Sequence, residues 1–173
     1  QLLNKIQDVE ASEITVCDIS MDTNHDALLQ LLERQNRILY FDHHFPGDIP
    51  QNPNLTSVIN ISPEVCTSLL VNDYLGRQYA AWAVVAAFGD NLHNAAKDLA
   101  QSILLTEFQV QSLQELGKLI NYNGYGRTPE DLHFYPQDLY QEIQGYESPF
   151  RFIQESKIPK ELKKGYLSDL SLI

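Results

Sequence analysis

Arg37-Ile38-Leu39-Tyr40-Phe41 runs without a break into Asp42-His43-His44. Four consecutive apolar residues, β-branched and aromatic among them, predict a strand buried on both faces. Upstream, Ile14-Thr15-Val16-Cys17-Asp18-Ile19 repeats the pattern. Between the two, Asn24 is placed to cap a helix whose apolar side is Leu28, Leu29, Leu31 and Leu32. Strand, helix, strand predicts a parallel crossover, with the two strands as sheet neighbours about 4.8 Å apart. A loop carrying Pro46-Gly47, Pro50 and Pro53 leads to a third strand, Ser57–Ile61.

The remainder reads as helical. Ser62-Pro63-Glu64 predicts a helix opening that runs to about Leu75, with Ser as cap and Pro at the first turn. Tyr79–Phe88 is apolar nearly all round and predicts a central buried helix, stopped at Gly89-Asp90. Further helices are expected over Asn94–Ser102, Thr106–Ile120, Pro136–Ile143 and Glu161–Leu172, with Pro149 and Pro159 as punctuation. The fold class is therefore α/β, a parallel sheet with helices in the back half. The expected division is 1–105 for the sheet-bearing domain and 106–173 for a helical extension packed on the same unit.

The chain has 173 residues, 43% hydrophobic and 20% charged, with a net charge of −11. This is a globular composition rather than a disordered one. The acidity disfavours a general nucleic-acid binder, which neutralises phosphates with Lys and Arg. No window approaches the ~18 apolar residues of a membrane span, and residues 1–13 lack the pattern of a signal peptide. Cys17 and Cys66 form no disulfide scaffold, and Cys17, inside an apolar run, is expected to be buried. These features point to a cytoplasmic protein. The absence of an initiator Met suggests trimming or a start inside a longer chain.

Asp18 ends its strand, where α/β sheets open onto a ligand crevice; an Asp there either serves a site or caps a turn. Asp42, His43 and His44 end the neighbouring strand. On an extended chain Asp42 and His44 share one side and His43 takes the other, unless the strand has begun to turn. Neutral imidazole is a favoured metal ligand, and a neighbouring carboxylate fixes its tautomer. Asp90 follows the apolar helix as a turn residue or as a carboxylate brought to the crevice. Thr67 and Ser68 lie at a helix start, where hydroxyls and backbone N–H groups either face a phosphate or simply cap. Carboxylates with imidazole suit Mn²⁺ or Mg²⁺.

Val16–Ser20 (VCDIS), Tyr40–His44 (YFDHH), Pro63–Val71 (PEVCTSLLV) and Ala86–Asn91 (AAFGDN), in this order, resemble the DHH phosphoesterase superfamily, related to family II pyrophosphatases and RecJ-type nucleases. The resemblance covers about residues 13–92. It implies a Rossmann-like DHH domain with a helical C-terminal extension, and hydrolysis of a phosphate ester by metal-activated water. It assigns Asp18, His43 and Asp90 as metal ligands and Asp42, His43 and His44 as catalytic residues, with Asp42 orienting a histidine. His44 is the implied contact to the substrate phosphate or a metal, and Thr67 and Ser68 are the further candidate substrate contacts. The complete family site holds two Mn²⁺ or Mg²⁺ ions, and the implied partner is a small phosphorylated substrate or nucleotide. The family's first motif, a strand-end His-x-Asp-x-Asp, and its Gly-rich C-terminal domain are not found in this sequence. The expectation is thus an incomplete phosphoesterase domain from a longer parent, the fragment itself weak or inactive. The alternative is a degenerate, non-enzymatic α/β domain acting in assembly or regulation.

Overall fold

The computed structural model describes residues 5–6 and 8–171, and the chain divides into two compact units, 1–74 and 75–173. Position 105/106 falls inside the second unit. The architecture is mixed α/β: a three-stranded parallel sheet and many helices. No helix among the described residues is long and apolar enough to cross a membrane.

In the first unit the strands are β1 (Glu13–Cys17), β2 (Arg37–Asp42) and β3 (Leu55–Ile59), in the order β1-β2-β3. Val16 pairs with Tyr40, and Tyr40 with Ser57. Helix α1 (His25–Glu33) connects β1 to β2 and buries Ala27, Leu28, Leu31 and Leu32. These positions form one stripe at helical spacing, and Leu28, Leu31 and Leu32 meet Val16, Ile38 and Tyr40 from one face of the sheet. Each fully buried Leu contributes about 1.5–3 kcal/mol. The expected cap differs in detail: Asn24 occupies the N-cap position but makes no side-chain cap, and its amide donates back to the Ser20 carbonyl at 2.9 Å. Asn36, fully buried, ties the start of β2 to its surroundings. Its side chain accepts from Ser12 N–H (3.0 Å) and donates to the Val9 (3.1 Å) and Leu31 (2.8 Å) carbonyls.

The helix expected to open at Ser62-Pro63-Glu64 begins later: α2 is Thr67–Tyr74. Asn60 Oδ1 accepts from Ser62 N–H (3.0 Å), and Ser62 Oγ accepts from Glu64 N–H (3.3 Å). These local side-chain bonds compete with the helix and hold a turn instead. Cys17 is a second correction: it is exposed, whereas Cys66 is buried. Cys17 lies at the strand's end, on the sheet face opposite Val16, so an apolar run did not imply cover for every member.

In the second unit, α3 (Ala80–Gly89) is buried along most of its length, with Val84 and Ala87 fully inaccessible. It packs against α4 (His93–Ser102) and α5 (Glu107–Tyr122). Thr106 caps α5 through a reciprocal box: Gln109 N–H donates to its Oγ1 at 3.3 Å, and its own N–H donates to Gln109 Oε1 at 2.9 Å. Then follow α6 (Pro136–Gln144), α7 (Pro149–Glu155) and α8 (Ile158–Leu170). Pro149 and Pro159, expected as punctuation, sit in the first turns of α7 and α8, where a missing N–H costs nothing.

Candidate metal centre

All three strands of the first unit end at one level. Asp18 N–H donates to the Phe41 carbonyl (3.0 Å), and Asn60 N–H to the Asp42 carbonyl (3.2 Å), extending the ladder by one residue on each side of β2. The carboxyl edge of the sheet therefore gathers Asp18 and Asp42–His44. Asp18 has left the strand conformation: its φ is +60°, a left-handed region that Asp tolerates better than most residues. Its side chain is 60% exposed, while His43 is 24% exposed.

Asp42 is fully buried and organises the residues after it. Its Oδ1 accepts from the His43 N–H (2.9 Å) and the His44 N–H (3.3 Å), an Asx-type turn that stops the strand. The same oxygen lies 2.7 Å from His44 Nδ1. The turn brings the two imidazoles together, with ring centroids 4.5 Å apart at 63°. Asp42 and His44 stay in direct contact, and His43 reaches the other way, its Nδ1 2.9 Å from the Val65 carbonyl.

These contacts determine the tautomers. A carbonyl oxygen and a carboxylate oxygen only accept, so both histidines carry their proton on Nδ1. In the neutral ring Nε2 then keeps its lone pair, the form in which imidazole binds metal, with a fixed oxygen partner behind the ring. His43 Nε2 lies 3.4 Å from Asp18 Oδ1. Two lone pairs facing at that distance call for a positive charge between them, either a proton or a metal cation. Two ligands about 2.1 Å from one ion, at right to tetrahedral angles, lie about 3.0–3.4 Å apart, so the spacing fits. One donor atom from each of Asp18, His43 and His44 lies within 4.8 Å of the others, the one such group among the described residues.

Thr67, 5% exposed at the start of α2, donates its hydroxyl to Asp18 Oδ1 at 2.8 Å. Ser68, the next residue, is half-buried. Asp42 Oδ2 is buried with no hydrogen-bond partner among the described residues. The charge on Asp42 is felt nearby: burial first, then that carboxylate, push the Tyr40 hydroxyl up to about 12. Desolvation first, then the Asp18 carboxylate, push the Cys17 thiol up.

Asp90 belongs to the second unit, where it is exposed at the C-cap of α3 and donates its N–H to the Ala86 carbonyl at 2.9 Å. His93 is engaged locally, with Nε2 2.9 Å from Asn91 Oδ1. His133 Nε2 lies 2.9 Å from Asp169 Oδ2, which also accepts from the Tyr122 hydroxyl at 3.0 Å. Those bonds from His133 and Tyr122 hold the Asp169 carboxyl below its ordinary range.

Sequence reading singled out Asp18, Asp42, His43 and His44 and expected Asp42 to orient a histidine, as it does His44 at 2.7 Å, but missed what holds Asp18 and His43. The Val65 carbonyl carries no side-chain signal. The Thr67 bond spans 49 positions of chain, and nothing local announces it. Comparison with models of protein families, with curated proteins and with solved structures found no match.

Proposed function

We propose that this chain carries a divalent-metal site of a phosphoesterase of the DHH type, built on the Rossmann-like arrangement that resemblance implies. The observation that supports the reading is the shared geometry of Asp18, His43 and His44. Three donors lie within 4.8 Å of one another, and both histidines present Nε2 with Nδ1 held by an oxygen. A divalent ion such as Mn²⁺ or Mg²⁺ would supply Lewis-acid charge there and ease the deprotonation of water at neutral pH. The chain's own residues do the rest. Asp42 fixes the His44 ring, and the Val65 carbonyl fixes His43. Ser68 and the Thr67 and Ser68 N–H groups are offered to a phosphate oxygen, since the first N–H groups of a helix have no intrahelical acceptor, while Leu69 N–H already donates to the Cys66 carbonyl at 3.0 Å. The resemblance implies two ions, and Asp18, His43 and His44 supply donors for one. The substrate is a small phosphorylated compound or nucleotide, in keeping with the net charge of −11.

A non-catalytic role in assembly or regulation is the second reading. It is favoured by the single three-residue donor group among the described residues, too few ligands for a two-ion centre. Titration calorimetry of the whole chain with MnCl₂ separates the two. The metal reading expects one ion per chain, with affinity lowered at least about 100-fold by His43→Ala, since a first ligand matters at least as much as the 10–100-fold of its supports. A wild-type chain that takes up no Mn²⁺ ends the metal reading. With Mn²⁺ bound, hydrolysis of bis(p-nitrophenyl) phosphate lost in His43→Ala supports the enzyme, and ion uptake without turnover supports the second reading.

A further inference from the structure

We propose that Thr67 is a positioning residue whose buried hydroxyl holds the Asp18 carboxylate at ligand spacing from His43. The inference rests on the metal reading above and adds a residue to it. Asp18 lies on a turn, with φ +60° and a side chain 60% exposed. An exposed carboxylate on such a turn samples several rotamers, and ordering it costs entropy at the moment of binding. His43 Nε2, 3.4 Å away, is beyond good hydrogen-bond distance and holds it less firmly than a direct donor would. The neighbour that donates to it is Thr67 Oγ1, at 2.8 Å. Thr67 is itself immobilised, 5% exposed and β-branched at the first residue of α2. Its proton is directed at Asp18 Oδ1, which leaves one lone pair on that oxygen and both on Oδ2 for a cation.

The same short stretch places the second ligand. The Val65 carbonyl, two residues before Thr67, accepts from His43 Nδ1 at 2.9 Å. Residues 65–67 therefore set the distance between Asp18 and His43 from one side. The late start of α2 acquires a purpose in this arrangement. The turn at 62–64 leaves the Val65 carbonyl outside the helix and aimed at the imidazole. The hydroxyl of Thr67 is thereby committed to Asp18, and the phosphate contact expected of the Thr67–Ser68 pair falls to Ser68.

The test compares Thr67→Ser, which keeps the hydroxyl, with Thr67→Val, which keeps the shape. Mn²⁺ affinity of the full chain is read by calorimetry, and the urea midpoint confirms that each variant is folded. The expected result is affinity within about threefold of wild type for Thr67→Ser and a 10–100-fold loss for Thr67→Val. Equal affinity of Thr67→Val and wild type overturns the proposal, as does an equal loss in both variants. A double-mutant cycle of Thr67→Val with Asp18→Ala, by urea unfolding in EDTA, works without metal. Thr67→Val should change the unfolding constant at least about fivefold more when Asp18 is present than when it is absent. If the wild-type chain takes up no Mn²⁺, the metal reading falls and this cycle alone decides Thr67: coupling supports its hold on Asp18, and additivity overturns it.

Discussion

Asp42 shows how much one buried carboxylate can organise. One of its oxygens ends a strand, turns the chain and fixes an imidazole tautomer, through three contacts of 2.9, 3.3 and 2.7 Å. Burying a charge is costly unless it is paired and hydrogen-bonded, and these donors offset that cost. Tyr40 occupies the same sheet face, fully buried, with its hydroxyl donating to the Ile19 carbonyl at 2.6 Å. That bond steadies the residue just after Asp18. The Tyr40 hydroxyl is pushed up to about 12, above the ordinary tyrosine value of about 10. Unfolded Tyr40 therefore ionises first. Its contribution to stability is whole below pH ~10 and is lost as pH rises through about 12. Alkaline titration followed at 295 nm should show a tyrosinate phase near that upper value, and Tyr40→Phe should remove it. Identical titration curves for the two proteins would contradict the burial argument.

Among the elements, α3 and α5 pack backbone to backbone, and the reason is glycine. A Cβ placed on Gly117 would fall on the Val85 carbonyl oxygen and come within 2.9 Å of the Gly89 nitrogen. Alanine is worth about 1 kcal/mol more than glycine in a helix interior. Here that gain meets a clash with backbone atoms that no rotamer relieves, and the helices must separate. Overpacking of this kind costs about 1–3 kcal/mol, so Gly117→Ala should be net destabilising in urea unfolding. An increase in stability would mean the crossing is looser than the contacts require. Helix α2 is the other element with a distinct task. Thr67 at its start holds Asp18, and Tyr74 at its end stacks edge-on against Phe41 at 5.1 Å. It thus braces the β1 and β2 ends from the sheet face opposite α1.

At the scale of the chain, the compact units 1–74 and 75–173 meet in a continuous exposed run, with Asp73–Tyr79 all on the surface. Gly76 and Arg77 within it adopt left-handed backbone, at φ +65° each. Exposed turns of this kind are where native proteins are nicked. Brief trypsin treatment at native pH should cut after Arg77 early, giving fragments 1–77 and 78–173 by mass. Protection of that bond at times when Arg37, inside β2, is already cut would show that the run is held. The acidic composition acts at this scale too, since a net charge of −11 repels polyanions.

Strand, crossover and strand were legible from the residues because β2, covered on both faces, is an unbroken apolar run, β1 repeats that pattern although its Glu13, Thr15 and Cys17 are exposed, and Leu28, Leu31 and Leu32 recur at helical spacing. The strand-end positions of Asp18, Asp42 and His43 followed from where those runs stop. Hydrogen bonds between segments leave no such trace. Only the folded chain aligned the Val65 carbonyl with His43, directed the Thr67 hydroxyl to Asp18 and delayed α2 past Pro63. Local patterning reports what a residue's neighbours in the chain require of it. The choice of donor and acceptor at a site depends on atoms tens of residues away, and those meet only after the sheet and its helices have packed.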